Sequence, residues 1–107
     1  MNIDEILTAA GIAGRGSRFA KPPAGTYAVW SDDIETDGPD GMPPCIFRHN
    51  VSIELYETRR DPTAPAALEA QLSARGLHWT KQDRFWIKTE QMYQTIYEFS
   101  YTEKRRT

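Results

Sequence analysis

The side chains best suited to covalent or acid–base chemistry are few. Cys45 is the only cysteine, and His49 and His78 are the only histidines. A catalytic thiol needs a base beside it, and no sequence pattern brings either imidazole to Cys45. Neither histidine has a second His, Cys or carboxylate at zinc-ligand spacing. Asp33, Glu35 and Asp37, followed by Gly38, imitate the start of a calcium loop. Pro44 stands where that loop needs its bidentate glutamate, and Glu35 is too long for the third position. The run Gly11-Ile12-Ala13-Gly14-Arg15-Gly16-Ser17 lacks a phosphate loop's lysine, since Ser17 follows Gly16 directly. The dinucleotide fingerprint also fails, because Phe19 occupies its third glycine position. Arg15, Arg18 and Lys21, like Arg59 and Arg60, read as scattered solvated cations. No paired-carboxylate or serine-triad pattern is present. The expectation is therefore no catalytic residue, no cofactor and no metal. A small enzyme using Cys45 and a histidine is the weakest of the readings the sequence leaves.

Composition narrows the class. The chain has 107 residues, 39% hydrophobic and 26% charged, with a formal net charge of −2. That is one domain's length and an ordinary globular composition. A dedicated nucleic-acid binder needs a basic footprint to displace counterions, which this charge does not supply. One cysteine allows no intrachain disulfide, as in a reducing compartment. The start, Met1-Asn2-Ile3-Asp4-Glu5, is acidic and does not read as a signal peptide. No stretch approaches the roughly 18 apolar residues of a membrane span. A cytoplasmic protein is expected.

The elements that must position any surface follow from periodicity. Asn2 is a good N-cap with Glu5 three residues on. Ile3, Ile6, Leu7 and Ala10 share one helical face, and Gly11 ends the helix. Residues 11–25 read as a loop, residues 26–30 as a strand, and residues 31–44, with their acids, glycines and prolines, as an exposed loop. Residues 45–57 are the clearest strand, with Phe47, His49, Val51, Ile53 and Leu55 on one face. His49 then reads as a hydrogen-bonded core or interface histidine. A second helix, capped by Asp61 or Thr63, tolerates Pro65 in its first turn, carries Ala64, Ala67, Leu68 and Leu72 inward, and stops at Gly76. Residues 77–81 and 84–88 read as short strands joined by a Gln82-Asp83 turn. Residues 90–104 form a long strand. The fold class expected is α+β: a single domain, residues 1–107, with a mostly antiparallel (mixed) sheet and two helices packed on one face.

The last third is rich in aromatics: Trp79, Phe85, Trp86, Tyr93, Tyr97, Phe99 and Tyr101. Large rings bury well, so the odd face of strand 90–104 (Tyr93 to Tyr101) is the core candidate. Two short helices cover only so much sheet, and Tyr and Trp are also enriched at interfaces. The even face, with Met92, Gln94, Ile96 and Glu98, is the assembly candidate. Asp33, Glu35 and Asp37 form a second candidate contact, suited to a basic partner.

Three stretches carry a resemblance. Thr26-Tyr27-Ala28-Val29-Trp30, Val51-Ser52-Ile53-Glu54-Leu55-Tyr56-Glu57, and the run from Glu90 to Tyr101 resemble small tail-assembly proteins of long-tailed bacteriophages and prophages. These are the tail completion or tail terminator type, encoded between head and tail genes. The resemblance covers most of the chain and rests on strand patterns and element order. It implies a non-catalytic α+β subunit that oligomerises, often as a hexameric ring, and joins tail to head. It also implies other tail or connector proteins as partners, and residence in the host bacterial cytoplasm before the virion tail. The alternative is a small non-catalytic regulatory or inhibitory module that lays its sheet on one partner.

Overall fold

The computed structural model describes residues 1–16, 23–37 and 46–104. Asn2 Oδ1 accepts the Glu5 N–H at 3.3 Å and opens α1 (Ile3–Ala9), which buries Ile3, Ile6 and Leu7. Gly11, at φ +74°, ends it in the left-handed conformation that lacks a Cβ penalty. Then come β1 (Ala13–Gly16), β2 (Tyr27–Asp37), β3 (Ile46–Glu57), α2 (Thr63–Ala74), β4 (Trp79–Lys81), β5 (Phe85–Ile87) and β6 (Met92–Lys104). Asp61 Oδ1 accepts the Thr63 N–H at 2.8 Å at the start of α2, and Pro65 sits buried in its first turn.

The strands form one mixed sheet in the order β1-β2-β3-β6-β4, with β5 sharing the outer edge of β6 with β4. β1 runs parallel to β2, and the other described pairs are antiparallel. The fold is α+β, and both helices lie on one face. Under them, Ala28 from β2, Val51, Ile53 and Leu55 from β3, and Tyr97 and Phe99 from β6 join Ile3, Ile6, Leu7, Leu68 and Leu72 in one core. Trp30 Nε1 donates to Asp4 Oδ1 at 2.9 Å, tying α1 to the sheet. Trp79 Nε1 donates to Ser73 Oγ at 3.0 Å, tying α2 to it. Past the Val51–Phe99 pair, β2, β3 and β6 continue as a three-stranded arm beyond the core, giving a molecule 51 Å long.

Three expectations are corrected. Residues 13–16 are a strand and not a loop: Gly14 and Gly16 pair with Ala28 and Trp30. The strand expected to end at Trp30 runs to Asp37, because β3 offers a continuous partner from Tyr56 to Ile46 and pairing outweighs the poor β-propensity of Asp and Glu. Finally, β4 and β5 do not form a hairpin. Each pairs with β6, β4 with Tyr97–Phe99 and β5 with Met92–Gln94, so Gln82-Asp83 bridges two segments laid end to end on one edge. The odd face of β6 is core as expected, with Tyr97 0% and Phe99 4% exposed.

Candidate functional site

Directly paired residues share a face of a sheet, so the register assigns the surface opposite the helices. One row crosses Ser31, Ser52, Glu98 and Thr80; the next crosses Asp33, Asn50 and Ser100; a third crosses Glu35, Arg48 and Thr102. The two candidate contacts from the sequence, one on Asp33, Glu35 and Asp37 and one on the even face of strand 90–104, thus meet on a single helix-free face, while residues 38–44 lie outside the described residues. Asp33, Glu35 and Glu98 are exposed there, while Met92 and Ile96 are half-buried. Asp37 stands opposite Ile46 at the end of the β2–β3 ladder. Gln94 is on the same face but only 8% exposed. Its amide donates to Tyr56 Oη at 2.9 Å, and Tyr56 donates to Glu54 Oε2 at 2.8 Å. Burial, reinforced by the Glu54 carboxylate, pushes the Tyr56 hydroxyl up to about 12. Tyr27 stacks on Tyr56 with ring centroids 5.0 Å apart, and burial raises its hydroxyl too.

A hollow of about 430 Å³ lies on this face, floored by Ser31, Ser52 and Asn50 and flanked by Asp33, Glu98 and His78. Its floor side chains are small and polar, so the sheet presents hydroxyls, an amide and carboxylates in place of the large side chains that usually cover strands. Ser100 Oγ donates to Asn50 Oδ1 at 2.8 Å, and Gln82 Nε2 donates to Glu98 Oε1 at 3.1 Å. The arrangement can accept hydrogen bonds and cations from a docked surface.

The other chemically able residues are dispersed. Gly14 and Gly16 face Leu7 and the Trp30 ring from within β1, so the glycine run packs the sheet edge against the core. Asp33 and Glu35 lie on an extended strand, a geometry unlike a calcium loop, and no group of three or more His, Cys, Asp or Glu able to hold a metal occurs among the described residues. Cys45, Arg18, Lys21 and Pro44 lie outside the described residues. Arg59 and Arg60 are exposed, and the Arg60 guanidinium sits 5.9 Å from the Tyr93 ring centre. His78 is exposed at the hollow.

Two polar clusters escaped the sequence reading. On the helix side, Tyr97 Oη donates to Glu69 Oε2 at 2.7 Å and Lys81 Nζ lies 2.9 Å from the same oxygen. Burial works to raise the Glu69 carboxyl, but the Lys81 ammonium and Tyr97 hydroxyl outweigh it and hold the group below the usual glutamate range. In the arm, His49 is 5% exposed, with Nδ1 2.6 Å from Asp32 Oδ2 and Nε2 3.6 Å from Glu103 Oε1. The apolar row of β3 already marked His49, but Asp32 and Glu103 join it only once the register is known.

No family model matches the chain, and no curated protein matches it. No helix among the described residues is long and apolar enough to cross a membrane.

Proposed function

We propose that this chain is a structural subunit of a phage or prophage tail, of the tail completion or terminator type. In this reading it acts through subunit–subunit contacts at the tail end or head–tail junction, assembles in the host cytoplasm and performs no catalysis. The observation that carries the reading is the helix-free sheet face. Both helices cover the opposite side, which leaves Ile96, Glu98, Asp33 and Glu35 in neighbouring rows of one strand surface, with Met92 farther along the same face of β6. A mixed polar and apolar patch of this kind suits a surface that meets a partner without being permanently buried. The resemblance of the β2, β3 and β6 segments to tail-assembly proteins supplies the class of partner: further copies of the chain and other tail or connector proteins.

Sedimentation velocity with electron microscopy, on the protein alone and after mixing with purified tail tubes, tests the reading. The expected result is a discrete closed oligomer, either free or seated on the tube end. A monomer at every concentration that also leaves tube ends undecorated would overturn it.

A further inference from the structure

His49 is joined by residues from both neighbouring strands of the arm: Asp32 from β2, and Tyr101 and Glu103 from β6. Its ring lies flat on Tyr101, 4.4 Å between centroids and 3° between planes. Nδ1 is within hydrogen-bond distance of Asp32 Oδ2, whereas Nε2 lies 3.6 Å from Glu103 Oε1. Asp32 Oδ1 and His49 Nε2 are buried without a hydrogen-bond partner. A buried, unsatisfied polar atom is costly and calls for an account. This one sits at the only side chain type whose ordinary charge change falls between pH 5 and 8.

We propose that His49 is a proton-operated clasp on the three-stranded arm. As imidazolium it carries N–H donors on both nitrogens, one for Asp32 and one for Glu103, and its charge lies between the two carboxylates. As neutral imidazole it keeps one N–H. With that proton committed to Asp32 at 2.6 Å, the Nε2 lone pair faces the Glu103 carboxylate, acceptor against acceptor. Among the described residues, the titratable groups facing the ring are Asp32 on β2 and Tyr101 and Glu103 on β6. The protonated state therefore holds residues 100–104 of β6 onto β3, and the neutral state loosens them. The clasp acts within one chain and does not depend on the tail-assembly reading.

Amide hydrogen exchange at pH 5.5 and pH 8, corrected for intrinsic rates, tests the clasp in a His78→Gln background that leaves His49 as the one histidine. Protection of amides 100–104 should fall by about tenfold at pH 8, the scale of one hydrogen bond to a charged group, while protection at 51–57 should change far less. Glu103 is 35% exposed, so Glu103→Gln is expected to fold and to flatten the response. Equal protection at both pH values in the His78→Gln protein, or a fall of the same size in Glu103→Gln, would overturn the proposal. Neither result bears on whether the protein assembles, so this inference and the proposed function fail independently.

Discussion

Tyr97 carries more of the core than any other side chain of β6. It is fully buried, meets Trp79 edge-on at 5.8 Å, and spends its hydroxyl on Glu69. Tyr97→Ala should therefore cost about 3–5 kcal/mol, as large aromatic truncations do, and chemical denaturation would read this as a fall in midpoint at unchanged slope. Tyr97→Phe isolates the hydroxyl and should cost about 1–3 kcal/mol. The partner carboxylate has its own signature. Because Glu69 is held below its ordinary value, its contribution is present above about pH 4.5 and is lost as pH falls through the lowered folded value. In Glu69→Gln the acid limb of the stability profile should be shallower, by no more than about 1 kcal/mol, since this group is only partly buried. Thermal melts between pH 3 and pH 7 check the sign.

At the scale of elements, two junctions decide whether the sheet edges hold. Arg84, entering β5, donates to the Glu57 carboxylate at 3.0 Å and to the Asp61 carbonyl at 3.1 Å. Glu57 is 2% exposed, and burial raises its carboxyl against the opposing pull of Arg84. Arg84→Ala would strand that carboxyl, so a loss of about 3–5 kcal/mol is expected, with Glu57→Gln recovering part of it in the double variant. At the opposite edge, a Cβ on Gly14 would collide with the Leu7 Cδ1 atom. Leu7 is fully buried and has little room to shift, so Gly14→Ala should cost about 1–3 kcal/mol by overpacking, read as a lowered melting temperature. These junctions also mark where sequence reading stopped. Helix α1, helix α2, β3 and the odd face of β6 were legible because caps and apolar period are local signals. β1 was not, since a two-glycine strand has no pattern of its own and exists by pairing with β2. The extension of β2 to Asp37 was hidden by its acids, whose partners on β3 lie nine to nineteen positions away. The helix-free face was half legible: Glu98 and Asp33 were singled out, but their shared surface and the serine floor between them came only with the register.

For the whole molecule, the separation of a core face from a bare face predicts that folding and association can be broken independently. Asp33→Arg with Glu98→Arg alters two exposed side chains on the helix-free face. Stability should stay within about 0.5 kcal/mol per site, while self-association, measured by sedimentation, should be lost or strongly reduced. Unchanged association would remove this face from the assembly surface. The position of β6 has a further consequence. It is the last described strand in sequence, yet it lies between β3 on one side and β4 and β5 on the other. A nascent chain that has reached Gln91 already holds both helices and five of the six described strands, but β4 and β5 have no partner in the sheet and Leu55, Ile53 and Val51 face an open seam. Non-local closure of this kind is slow and leaves strand edges exposed while it waits. Synthesis of β6 thus acts as the closing step of the fold, and a chain cut short before Met92 would present to its neighbours the very sheet edge that the folded chain keeps for itself.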